Sequence, residues 1–204
     1  RTFEFFDDFD RAGSGYFALN EPETIAVKDQ PWETQAPHTL SVVELNRDGY
    51  RYWGYYGLAN CGGIGIMRSN DLAAWDKLPQ PLLNHDGERW PSAHFDGRML
   101  HMVYDRDHCG TSHVVLRSSA DGQNFDADPT VLVAQEDGVR NQNPHLFWNA
   151  ADGYYYLYWF RGGEEQGAWQ IKARRARTPR ELANPASEIV LLDEPYTLAA
   201  PNML

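Results

Sequence analysis

The strongest constraint on the fold is a segment that recurs, a proline between two other residues followed by an apolar run. It appears as QAPHTLSVVEL, RWPSAHF, QNPHLFW and AAPNML, with prolines at Pro37, Pro91, Pro144 and Pro201. The intervals are 54, 53 and 57 residues, and self-similarity at such a period signals a solenoid, propeller or array. Each of the first three copies leads to an Asp-Gly pair, at Asp48-Gly49, Asp96-Gly97 and Asp152-Gly153, residues that tolerate positive φ in a tight hairpin. Second strands follow as YRYWGYYG, RMLHMVYD and YYYLYWFR, third strands as GIGIMRS, HVVLRSS and WQIKARRA, and fourth strands as PLLNH, TVLVAQ and SEIVLL. Between third and fourth strands a small polar residue precedes an apolar plug by four positions each time: Asp71 and Trp75, Asp121 and Phe125, Thr178 and Leu182. A short polar side chain bonding the backbone of its own turn, with the plug packed beneath, accounts for that pattern. Each copy of about 50 residues is therefore a four-stranded antiparallel blade, and the fold class is an all-β propeller.

The blades read as residues 37–90, 91–143 and 144–200, with 201–204 opening the next. Residues 1–36 form an N-terminal segment in which ETIAVKDQPWETQAP aligns with DPTVLVAQEDGVRNQNP, a fourth strand leading into a first, so it is expected to supply the outer strand that closes a final blade. Three blades alone would leave two bare edges. The propeller thus reads as incomplete in this chain, closing with a further C-terminal part or with another chain.

With 204 residues, 42% hydrophobic and 13% aromatic, the chain can bury a substantial core. Its longest apolar or aromatic run, Tyr154 to Phe160, falls far short of the roughly 20 residues a membrane helix needs, and no membrane span is expected. Eighteen basic against 29 acidic residues give a net charge of −11, which repels nucleic-acid phosphates. The basic stretch IKARRARTPR alternates partly with Ile171, Ala173 and Ala176 and reads as a solvated strand face, so no nucleic-acid partner is expected. Cys61 and Cys109 lack zinc-site spacing and are expected as two thiols in preference to one disulfide. Arg1 opens the chain without a charged-then-apolar leader, which leaves the compartment open, a secreted or periplasmic location being favoured. No G-x-S-x-G elbow is present, and GGIG at Gly62 to Gly65 precedes a strand, so neither serine-type nor phosphate chemistry is expected.

In a propeller the loops leading into first strands and those joining second to third strands share one face around the central channel. That rule brings Trp32, Glu33, Glu88, Arg89, Trp90, Arg140, Asn141, Gln142, Asn143 and Tyr196 to one face, with Asn60, Cys61, Asp105, Arg106, Asp107, His108, Arg161, Glu164 and Glu165. His38, Ser92, His145 and Asn202, each just after its proline, sit at the channel mouth, where a ligand would bind.

The repeated grammar, with R-S-x-D-x-x-x-W closing a third strand, resembles the five-bladed propellers of the family 43 glycoside hydrolases and their relatives in families 32, 117 and 130. GIGIMRSNDLAAWDKLPQPLL, Gly63 to Leu83, and VVLRSSADGQNFD, Val114 to Asp126, carry it most clearly. The resemblance implies a glycosidase of polysaccharide degradation that hydrolyses an oligosaccharide or glycoside in the central funnel with a carboxylate acid and base. In family 43 the base is an Asp beside the first-blade proline, where this chain has Ala36, and the acid is a Glu two before a later proline, where it has Gln142. An amide cannot do titratable proton transfer. The catalytic roles therefore fall to Glu88, Asp105 and Asp107, with Glu33 behind them. His38, Trp90, Arg106, Arg140, Asn143 and His145 are expected to contact the sugar, Trp90 by stacking, and Trp32 is a second stacking candidate.

No metal ligand set is readable from spacing, and no cofactor is expected; calcium at the channel axis near His38 and His145 is the one alternative the resemblance adds. Blander readings stand beside these. Asp105 and Asp107 could pair with Arg106 and neighbouring arginines, Glu88 with Arg89 or Arg140, and the two histidines could be structural. Trp53, Trp148, Trp159 and Trp169 read as filler between blades. The alternatives to hydrolysis are a non-catalytic carbohydrate-binding propeller and a protein-interaction propeller.

Overall fold

The aromatic and β-branched runs become strands because alternate side chains can be buried against neighbouring sheets. A computed structural model of the chain describes residues 25–59, 62–83, 87–107, 112–163 and 169–194. They form three four-stranded antiparallel sheets. The first orders β1 (Pro37–Arg47), β2 (Tyr50–Leu58), β3 (Ile64–Ser69) and β4 (Asp76–Lys77). The second orders β5 (Arg89–Phe95), β6 (Leu100–Arg106), β7 (His113–Ser119) and β8 (Thr130–Val133). The third orders β9 (Arg140–Asn149), β10 (Tyr154–Gly162), β11 (Trp169–Ala176) and β12 (Ile189–Glu194). These are three propeller blades, and their first strands lie side by side.

Strand alternation places the core between blades. Trp53 and Tyr55 of β2 meet Leu100, Met102 and Tyr104 of β6 in one cluster, while Val103 of β6 meets Leu157 and Trp159 of β10 in another. Neighbouring residues of β6 thus serve opposite interfaces. Trp53 and Trp159 are fully buried in these clusters, Trp148 packs against the second, and Trp169 stacks on Phe160. Polar bonds cross the same seams: the Tyr55 hydroxyl donates to the Gly122 carbonyl at 2.9 Å, and Arg174 donates to the Leu132 carbonyl at 2.5 Å. On the inner strands, the Ser41 hydroxyl accepts from the Ala93 N–H at 2.9 Å, and Ser92 accepts from the Leu146 N–H at 3.0 Å.

Several local expectations change in detail. Only Asp48-Gly49 takes positive φ at both residues, 52° and 81°; in the other two turns the glycine alone does, and Asp96 Oδ1 instead accepts the Arg98 and Met99 amides. The Asp71 and Asp121 carboxylates each accept two amides of their own turns. In the third copy the Glu181 carboxylate reaches back to the Thr178 N–H at 3.0 Å, and Leu182 is buried beneath. The fourth strand of the first blade is Asp76–Lys77, ahead of the expected PLLNH, in which Leu83 makes a single bridge to Ile64. First strands of the second and third blades begin before their prolines, at Arg89 and Arg140.

Residues 25–36 carry no strand, so the described end of the expected closing strand pairs with no sheet. It lies on the outer face of the first blade, where Ala26 and Trp32 pack on Tyr56 and Met67. Lys77 fastens it through the Val27 carbonyl and Glu33. Among the described residues no helix is long and apolar enough to cross a membrane. The expectations for Cys61, Cys109, Asn60, His108, Glu164, Glu165, Tyr196, Pro201 and Asn202 lie outside the described residues.

Candidate functional site

The backbone just before two of the prolines sets the geometry of the site. Trp90 and Asn143, each preceding a proline, adopt left-handed backbone at φ 54° and 51°, a conformation that costs a non-glycine residue about 1–3 kcal/mol and concentrates at functional sites. Each falls at a register shift: Arg89 pairs with Asp105 and Ser92 with Val103, Gln142 with Phe160 and His145 with Tyr158. One extra residue in the inner strand re-aims the side chains that follow it. The result is a cavity of about 420 Å³ across three first strands. It is lined by Thr39 to Val42 of β1, Trp90 to Ser92 of β5, and Asn143 to His145 of β9.

Three expected sugar contacts, Trp90, Asn143 and His145, line this cavity. His38 lines an adjoining cavity of about 280 Å³ with Pro37, Thr39, Leu40 and Tyr56, and its ring meets Trp90 edge-on at 5.3 Å. Burial pushes the His145 pKa down, and its Nδ1 lies 3.3 Å from the Ser92 hydroxyl, so the neutral ring can accept there and keep Nε2–H as a donor. Trp90 Nε1 and Asn143 Oδ1 have no hydrogen-bond partner among the described residues. Thr39, Ser41, Ser92, Asn143 and His145 supply hydroxyl, amide and imidazole groups, while Trp90 and the prolines supply apolar faces. That mixture suits a polyhydroxylated ligand.

The expected catalytic carboxylates do not line this cavity. Asp105 shares the β6 face of Val103, so it enters the seam between the second and third blades and is 0% exposed. Burial raises its pKa well above the usual carboxylate range, against the Asn143 N–H it accepts and the charge of Arg89. Glu88 is 2% exposed and accepts from the Tyr104 hydroxyl at 3.4 Å. Asp107, at the end of β6 with φ 57°, stands 3.6 Å from His113 Nδ1. Arg106 lies half-buried opposite His113, and Arg140 half-buried opposite Gly162. Glu33 is fully committed: burial works to raise its pKa, but the Gln30 and Asp29 amides, Lys77 and Tyr56 outweigh it and hold the carboxyl low. Trp32 belongs to the outer face and not to the cavity. Among the described residues, the cavity lining holds no carboxylate, and no group of three or more His, Cys, Asp or Glu could hold a metal ion.

Arg89 is the residue whose role the sequence least announces. Its Nη2 lies 3.1 Å from His38 Nδ1, its guanidinium stands 4.8 Å from the Trp90 ring centre, and Asp105 faces it across the β5–β6 ladder. Its place two before the proline, where the other blades have Gln35 and Gln142, is the signal in the sequence that could have found it.

Solved structures with the same arrangement of sheets include a thermostable family-43 glycoside hydrolase, at TM-score 0.58 and 17% identity over 78% of this chain and 55% of that one. The α-L-arabinanase of Penicillium chrysogenum complexed with arabinobiose matches at TM-score 0.61 and 15% identity, over 76% and 50%. The GH93 α-L-arabinofuranosidase of Fusarium graminearum with arabinobiose matches at 0.57 and 14%, again over 76% and 50%. The chain has the propeller fold of these glycoside hydrolases. The chain spans about half the length of those neighbours. No family profile and no curated protein matches its sequence.

Proposed function

We propose that this chain binds an oligosaccharide in the funnel between its first strands, as the sugar-holding part of a glycosidase-type propeller. The observation that carries the reading is the cavity itself: three adjacent inner strands offer hydroxyl, amide and imidazole groups beside a tryptophan and two prolines. Arabinobiose is bound by two of the neighbours, and small pentose oligosaccharides are the first ligands to try. Titration calorimetry with arabinobiose, xylobiose and longer oligomers is expected to find binding that Trp90→Ala weakens about tenfold or more, the worth of one good contact. Absence of binding across the panel sinks the reading.

Hydrolysis of the bound glycoside is the second reading, favoured by one observation. Asp105, behind cavity-lining Asn143, is a carboxyl whose pKa burial raises well above the usual carboxylate range, the direction of shift asked of a general acid. It ranks second because hydrolysis requires a partner carboxylate, and the described lining offers none. Turnover of aryl α-L-arabinofuranosides or β-xylosides that disappears in Asp105→Asn favours hydrolysis. Binding without turnover leaves the first reading alone.

A further inference from the structure

We infer that Arg89 is a positioning residue, which locks His38 as a neutral Nε2–H donor at the rim of the sugar site and props the Trp90 wall beside it. The inference deepens the sugar-binding reading and rests on it for the ligand alone.

The chemistry is one-directional. A guanidinium has five N–H donors and no acceptor, so the 3.1 Å contact from Arg89 Nη2 to His38 Nδ1 requires that Nδ1 carry its lone pair. The proton of the neutral ring is thereby assigned to Nε2. His38 is exposed while Arg89 is nine-tenths buried, so the arginine is the fixed member and the imidazole the presented one. The same guanidinium spreads across the Trp90 face at 4.8 Å, and His38 closes on that ring edge-on. Trp90 is held in left-handed backbone, which other elements must support.

Arg89 is itself held from behind. Asp105 lies opposite it in the ladder and interacts with its charge, and Asp105 also accepts the N–H of Asn143, the other left-handed residue of the cavity. A line of contacts therefore runs His38, Arg89, Asp105, Asn143, through all three blades. Its two ends are ligand-facing groups on the first and third. His145 has Ser92 at its Nδ1, a hydroxyl that can donate there and so allows the same Nε2–H form without imposing it. The ligand chemistry that fits His38 is an oxygen acceptor, such as a sugar hydroxyl or ring oxygen.

The test is a long-range ¹H–¹⁵N spectrum of the imidazoles of the full chain at neutral pH, with His38 assigned by His38→Gln. Wild type is expected to show His38 as the Nε2–H form. Arg89→Met is expected to give a mixture of tautomers at His38, with the His145 signals in place as evidence of an intact fold, and about tenfold weaker binding of arabinobiose or xylobiose. Arg89→Lys, which keeps a donor and loses the planar group, is expected to retain the tautomer and to weaken sugar binding less. An Nδ1–H or cationic His38 in wild type overturns the assignment, and this readout needs no variant to fold. An unchanged tautomer in Arg89→Met overturns the lock. The tautomer result needs no sugar, so failure of the sugar-binding reading would appear separately, as absent binding beside a confirmed His38 state.

Discussion

Asp105 is buried and His145 half-buried, and loss of solvent moves their pKa values in opposite senses. Asp105 keeps its proton in the folded chain above the ~3.9 of an unfolded aspartate. Between those two pKa values the folded state holds the extra proton, so the stability it confers is full at acid pH and lost as pH rises through the raised value. Asp105→Asn, of the same shape and uncharged, is expected to remove that loss. Urea midpoints measured across pH should show wild type falling relative to the variant by up to ~1.4 kcal/mol per pH unit above about pH 4. For His145 the folded pKa is lowered, so as pH falls below ~6.5 the unfolded chain takes up the proton first and stability is lost toward acid. His145→Gln is expected to reduce that acid-side loss in the same titration. A variant curve parallel to wild type would show that the ring is not held neutral.

Single elements carry their own exposures. Gly122 takes φ +84°, and a Cβ there would lie 2.7 Å from Leu45 Cδ2 and 3.0 Å from the Tyr55 hydroxyl. Gly122→Ala therefore meets backbone strain and a clash across the first seam, and should cost about 2 kcal/mol or more by thermal or chemical unfolding. Tyr55→Phe at the same contact leaves the Gly122 carbonyl without its 2.9 Å donor and should cost about 1–2 kcal/mol. If both variants matched wild type, the seam would not be closed as described. The strands themselves were legible because a period of two and a repeat of about fifty residues are global patterns that local errors do not erase. The destination of each carboxylate was not. A bulge adds one residue and exchanges the two faces of a strand, and nothing in RWPSAHF or QNPHLFW announces where the extra residue falls. Glu88 and Asp105 have site-like positions in the sequence and buried positions in space, while Arg89, one entry-loop residue among many in the sequence, touches both His38 and Trp90.

At the scale of the whole molecule, two seams join three sheets, and the outermost described strand presents an unusual surface. Ile189, Val190, Leu191 and Leu192 of β12 are all 45% to 55% exposed, so both faces of that strand carry aliphatic side chains beside an edge, a known route to intermolecular pairing. Replacing Val190 and Leu192 by lysine is expected to lower self-association in light scattering and to leave the melting transition within about 0.5 kcal/mol of wild type. Unchanged scattering would mean that this strand is not the adhesive surface. The two serine hydroxyls that catch amides of the adjacent inner strand, Ser41 with Ala93 and Ser92 with Leu146, act at this scale too. Each works as a spacer of one oxygen's width, so the bore of the channel is gauged by two small side chains. Exchanging them for alanine or threonine would alter both the spacing of the inner strands and the wall that an entering molecule meets.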